Sequence, residues 1–106
     1  AFGPGVAELL DGVRRHGSLQ GAAREMAMSY SKAWTIMRNA EAIWGFPLIR
    51  RYVGGKDGGR SVLTRQAEII LARYEQMDEA LHAMADRQFQ QWFNDDELQK
   101  LQTMEG

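Results

Sequence analysis

Apolar residues recur at Val6, Leu9, Leu10 and Val13, three and four apart, and predict an amphipathic helix from Val6 to Arg15. The preceding Phe2 to Gly5, FGPG, reads as a loop, and Gly17 is placed to stop the helix. Ser18 is an N-cap for a short helix, Leu19 to Met26, with Ala22, Ala23 and Met26 facing inward. The paired alanines suit two helices that cross steeply at close range. Ser29 caps a longer helix from Tyr30 to about Trp44, with an inward stripe of Ala33, Ile36 or Met37, Ala40 and Ile43. Gly45 ends it and Pro47 prevents a restart.

The period then changes from helical to alternating. Leu48 to Val53 reads as a strand, the six residues from Gly54 to Gly59 as a turn, and Ser61 to Leu63 as the returning strand. Thr64 caps a long helix from Arg65 to about Phe93. Its apolar positions Ala67, Ile70, Tyr74, Met77, Leu81 and Met84 are separated by 3, 4, 3, 4 and 3 residues, a heptad seam suited to packing along another helix. A second short helix using Leu98 and Leu101 is expected after Asn94. The fold class is therefore mainly α: a winged helix-turn-helix with a two-stranded β-wing and a long C-terminal dimerisation helix. The expected division is 1–64 for the winged domain, 65–93 for the long helix and 94–106 for a tail or short helix.

Composition narrows the function. The chain has 106 residues and no cysteine, so disulfides and thiolate metal sites are excluded. His16 and His82 have no nearby ligand partners in sequence. No apolar run approaches the roughly 20 residues of a membrane span, and no signal-peptide pattern is present, so a cytoplasmic location with no membrane partner is expected. The first residue is Ala1 rather than Met, which suggests processing or excision from a longer chain. The net charge of −1 hides an asymmetry: residues 1–66 carry +5 and residues 67–106 carry −6. A basic N-terminal part suits a polyanion, and the acidic part would face away from it.

Helix, turn, helix and basic wing is an arrangement for laying one helix in the DNA major groove while a loop touches the flanking backbone. The runs GSLQGAAREMAMSYSKAW and FPLIRRYVGGKDGGRSVLT resemble the N-terminal winged-helix domain of ModE-type, molybdate-dependent regulators, itself similar to the LysR-type DNA-binding domain. The resemblance covers about Gly3 to Tyr74. It implies a dimer, formed through the long C-terminal helix, on a palindromic site in double-stranded DNA. Ala27 stands at a turn position where this family often has glycine, and a left-handed backbone there would be strained. ModE-type regulators carry molybdate on separate C-terminal β-barrel domains. The sequence to Gly106 holds none, so neither molybdate nor any other cofactor is expected on this chain.

On the second helix of the motif, Tyr30, Ser31, Lys32, Thr35, Arg38 and Asn39 should face away from the core. Tyr30, Ser31 and Thr35, nearest its N-terminus, are best placed for base edges. Ser or Thr can pair with any base, and Arg38 can fork onto guanine or grip a phosphate. Ser18, Gln20 and Ser29 lie at helix N-termini, where backbone N–H groups suit phosphates, although plain capping also accounts for them. Lys56 and Arg60 supply the charge of the wing, for the minor groove or the backbone. A nucleotide-cradling reading of GGKDGGR fails because the loop leads into a strand rather than a helix. Arg50 and Arg51 point to opposite faces of their strand, so at most one reaches DNA.

Catalysis has little support: no Ser-His-Asp or Cys-His set is suggested by spacing and no metal-ligand pattern is present, so the chain is not read as an enzyme. Two alternatives to DNA binding are a winged helix used for protein–protein assembly and an oxyanion-responsive sensor lacking its effector domain. The homodimer expectation follows from geometry. A helix of roughly 29 residues is about 43 Å long, more than a small winged domain needs. Two such helices packed antiparallel would set two recognition helices about 34 Å apart, on successive major grooves.

Overall fold

The computed structural model describes residues 3–53 and 59–106. The elements run α1 (Pro4–His16), α2 (Leu19–Glu25), α3 (Tyr30–Trp44), β1 (Ile49–Tyr52), β2 (Arg60–Leu63), α4 (Arg65–Trp92) and α5 (Asp95–Thr103). Two compact units divide them, the first ending at Tyr74 and the second running from Glu75 to Gly106. The winged helix-turn-helix pattern of the sequence is present in the first.

The largest fully buried side chains of that first unit are Leu9, Leu10, Val13, Met37, Leu48 and Leu71. Each such burial contributes about 1.5–3 kcal/mol. α1 and α2 meet at a point too narrow for ordinary side chains. A Cβ built on Gly12 would lie 2.6 Å from the Ala22 Cβ and 3.0 Å from the Ala22 Cα, so the small pair sets the approach of the two helices. Gly17 and Gly45 end α1 and α3 with positive φ of 72° and 84°, and their N–H groups return to the Val13 and Glu41 carbonyls.

The connection from α3 to the wing is held by hydrogen bonds. The Leu48 amide donates to Glu41 Oε2 at 2.7 Å. Thr64, buried beside it, donates its hydroxyl to the Pro47 carbonyl at 2.7 Å and accepts from the Ala67 amide at 3.0 Å. Its own amide donates to the Leu48 carbonyl at 3.0 Å. One side chain thus caps α4 and fixes where β1 begins. β1 and β2 pair antiparallel in the register Ile49↔Leu63, Arg50↔Val62, Arg51↔Ser61 and Tyr52↔Arg60. The base of β2 is tied to the first helix by the Ser61 amide, which donates to the Gly17 carbonyl at 2.8 Å.

Four sequence expectations need correction. Pro4 and Gly5 are helical, because proline at the first helical position loses no hydrogen bond and already has a helical φ. Ile43 is 63 % exposed. The buried stripe of α3 ends with Ala33, Met37 and Ala40; Trp44 beyond it is exposed, its ring 6.2 Å from that of Phe46. Leu48 is fully buried but precedes the strand. Ala67, expected at the dimer seam, is fully buried in the core of the first unit, because the Thr64 cap aims that turn inward together with Leu71. Tyr74 is partly buried against the same core.

In the second unit, α5 is capped by Asn94, whose side-chain oxygen accepts from the Glu97 amide at 3.0 Å. Met77, Leu81 and Met84 are 52 %, 55 % and 53 % exposed, and Phe89, Trp92, Phe93, Leu98 and Leu101 are exposed as well. Among the described residues, no helix is long and apolar enough to cross a membrane.

Candidate nucleic-acid interface

The turn between α2 and α3 is made by Met26, Ala27 and Met28. The amides of Met26 and Met28 both return to the Ala23 carbonyl, and Ala27 between them has φ 54°. A non-glycine residue in this region carries about 1–2 kcal/mol of strain. The partly buried Met26 and Met28 flank it and pack on the core, holding the turn in place. Ser29 then starts α3, its hydroxyl accepting from the Lys32 amide at 3.1 Å.

α3 sorts its residues cleanly. Ala33, Met37 and Ala40 are buried, whereas Tyr30, Ser31, Lys32, Thr35, Arg38 and Asn39 are exposed. The Thr35 hydroxyl donates to the Ser31 carbonyl at 3.0 Å, which orients its methyl group and oxygen. Ser18 is partly buried, with its hydroxyl accepting from the Gly21 amide at 2.9 Å, and Gln20 is exposed in the first turn of the helix that Ser18 caps. Arg60 is exposed on β2, its guanidinium 5.6 Å from the Tyr52 ring centroid across the strand pair. Lys56 lies outside the described residues.

The arginines fall into two electrostatic groups. Arg15 donates to Asp11 at 2.8 Å and to both oxygens of Glu25 at 3.0 and 2.8 Å. Arg14 also pairs with Asp11, and His16 Nε2 lies 3.0 Å from Glu25. These contacts link α1 to α2 and neutralise much of their positive charge. Arg15, then Arg14, holds the Asp11 carboxyl below its usual range, and Arg15, then His16, does the same for Glu25. The two carboxylates in turn push the Arg15 guanidinium higher still. By contrast Lys32, Arg38, Arg51 and Arg60 have no carboxylate partner among the described residues.

Two residues of this surface were not singled out as site residues in the sequence. The Trp34 indole, half-buried on α3, has the Arg38 guanidinium 5.5 Å and the Arg51 guanidinium 5.7 Å from its ring centroid, and Tyr30 meets it edge-on at 6.1 Å. Arg51 reaches it because strand side chains alternate. Ile49 packs on the core, and Arg51, two residues on, keeps that face where the core has given way to the indole. Strand phase could have found this: of Arg50 and Arg51, only Arg51 shares its face with Ile49.

A short helix, a three-residue turn, a helix with a polar outer face and a two-stranded hairpin together define a winged helix-turn-helix domain. The chain belongs to the LysR family of bacterial regulatory helix-turn-helix proteins, whose pattern it matches over residues 7–68. Similar proteins include the molybdenum-pterin-binding protein MopA of Rhodobacter capsulatus, 33 % identical over 69 % of this chain and 28 % of MopA. The transcriptional regulator ModE of Haemophilus influenzae is 33 % identical over 78 % of this chain and 34 % of its own length. The molybdenum transport protein ModE of Azotobacter vinelandii is 32 % identical over 74 % of this chain and 29 % of its own. The similarity thus spans about a third of the length of these relatives and places the winged helix with the ModE type. The family is one of regulators, not of enzymes.

Proposed function

We propose that this chain binds double-stranded DNA sequence-specifically, as a homodimer, and regulates transcription. α3 enters the major groove and the wing lies on the flanking backbone. The observation that carries the proposal is the outer face of α3. Ser31, Lys32, Thr35, Arg38 and Asn39 form a polar, cationic surface without internal ion pairs among the described residues, on a helix whose other side is locked into the core. Tyr30, Ser31 and Thr35 contact base edges, and Arg38 reads guanine or grips a phosphate. Ser18, Gln20 and Ser29 face phosphates near helix N-termini, and Lys56 and Arg60 bring the wing to the backbone. Molybdenum, which the names of several relatives carry, is not part of this proposal.

The dimer rests on Met77, Leu81 and Met84, each more than half exposed at heptad spacing on α4, with Ile70 and Tyr74 extending the seam. Two copies joined there match a palindromic site with half-sites about 34 Å apart.

Selection from a random-sequence duplex pool at two salt concentrations tests this reading. A palindromic consensus with a steep salt slope is expected. Recovery of nothing above background rejects it. Arg38→Ala should lower specific affinity and relax one position of the consensus, and unchanged selectivity removes it as a base reader. A second reading, a protein–protein assembly module, is favoured by the exposed apolar residues between Met77 and Leu101. It predicts association without DNA and no salt-dependent duplex binding.

A further inference from the structure

The Trp34 indole is the one aromatic group described here with two guanidiniums against it, and they come from different elements: Arg38 from the recognition helix and Arg51 from the wing. Both lie within the roughly 6 Å that defines a cation–π contact. Neither arginine has a carboxylate partner among the described residues, in contrast to Arg15, which is saturated by Asp11 and Glu25. The difference is chemical. A carboxylate orders an arginine by neutralising it and occupying its N–H donors. An indole orders it through the ring face and leaves the charge and the donors in place.

We propose that Trp34 is a positioning residue for DNA binding: it holds Arg38 and Arg51 together as a two-guanidinium pad for the phosphodiester backbone, and so couples the wing to the recognition helix. The pad rests on the reading of α3 as the DNA-facing helix and adds two residues to it, Trp34 and Arg51. Tyr30, edge-on to the same indole at 6.1 Å, keeps the ring from turning toward solvent. Ile49 packs on the core and anchors the β1 face from which Arg51 extends. Both arginines are therefore ordered before DNA arrives, which removes part of the ordering cost that long, rotamer-rich side chains otherwise carry into an interface.

The test is duplex binding, measured against salt concentration with a random-sequence duplex pool so that the backbone contribution is read by itself. Trp34→Leu should bind about tenfold more weakly, with a salt slope smaller by about one phosphate contact. Trp34→Phe, which keeps a ring face, should stay within about threefold of the parent. Arg51→Gln should weaken binding in the parent and have little further effect in the Trp34→Leu background, because both changes remove the same contact. An unchanged salt slope in a folded Trp34→Leu variant overturns the pad. So does Trp34→Phe binding as poorly as Trp34→Leu, or an Arg51→Gln cost that is equal in the two backgrounds. Should Trp34→Leu not fold, emission from Trp34 alone, in a Trp44→Phe, Trp92→Phe chain, replaces it. Duplex should shift that emission, and Arg51→Gln should shrink the shift; an identical response with and without Arg51 overturns the proposal. If the parent chain itself shows no salt-dependent binding, the DNA reading falls and the pad with it. That outcome is separable, because it is read on the unsubstituted protein.

Discussion

The two units treat their apolar residues in opposite ways. In the first, Leu9, Leu10, Met37, Leu48 and Leu71 are all but inaccessible, and even the glycine–alanine contact between α1 and α2 is filled. In the second, every large apolar side chain from Met77 to Met104 is exposed, although the helical spacing is as regular as in the first. Periodicity therefore reports that a face wants to be covered, not what covers it. In the first unit the cover is other elements of the same chain. In the second the residues are free to associate, which is where the dimer proposal puts its weight.

Substitutions should separate the two regimes. The largest effect is expected at the α1–α2 crossing. Gly12→Leu forces a side chain into a space where even a Cβ sits 2.6 Å from Ala22, and should cost more than about 3 kcal/mol, leaving no cooperative thermal transition. Thr64→Val keeps the shape but leaves the Pro47 carbonyl and the Ala67 amide without their partner, at a cost of about 2 kcal/mol in denaturant titration. Ala27→Gly acts the other way. Relief of the positive φ should add about 1 kcal/mol and raise the melting temperature by about 5 °C.

Met77→Glu with Leu81→Glu should change the stability of the first unit by less than about 0.5 kcal/mol. It should nonetheless convert dimers to monomers by light scattering and weaken operator binding on the order of 100-fold. Retained dimers would show that the seam lies elsewhere. The smallest effect is in acid. Asp11 and Glu25 have carboxyls held below their ordinary values of 3.8 and 4.5. Their contribution is present above those values and is lost as pH falls through the lowered ones. The contribution is small because all partners are exposed. Arg15→Gln should flatten the dependence of melting temperature on pH between about 5 and 3.

Much of the fold was legible because local chemistry and tertiary packing agree. Ser18, Ser29 and Thr64 each cap the helix that their position in the sequence predicts, Gly17 and Gly45 end theirs, and the short helix expected after Asn94 is present. The turn position of Ala27 comes from the family resemblance, which often puts glycine there, and the structure has this alanine left-handed at φ 54°. What sequence spacing could not rank was depth. Ala67 continues the same heptad as Met77, yet one is fully buried and the other half exposed, because only the first lies within reach of the Thr64 cap and the Leu48 segment. For the candidate interface, the outer face of α3 followed from period alone. The pairing of Arg51 with Trp34 did not, because it depends on the register that sets β1 against the core, and that register is fixed by the Leu48 amide donating to Glu41 and the Thr64 hydroxyl donating to the Pro47 carbonyl.

The single hydrogen bond from the Ser61 amide to the Gly17 carbonyl also bears on the order in which the chain assembles. The three helices of the motif are neighbours in sequence and close only short loops, so they can form early and fast. The bond from β2 to the end of α1 joins segments on either side of the whole motif and must wait until the intervening chain is in place. β2 thus settles against the end of α1 only after the motif has formed. The amide of Ser61 should then exchange its hydrogen sooner than those of Leu10 or Met37, and a chain caught part-way through synthesis would hold its recognition helix before it holds its wing.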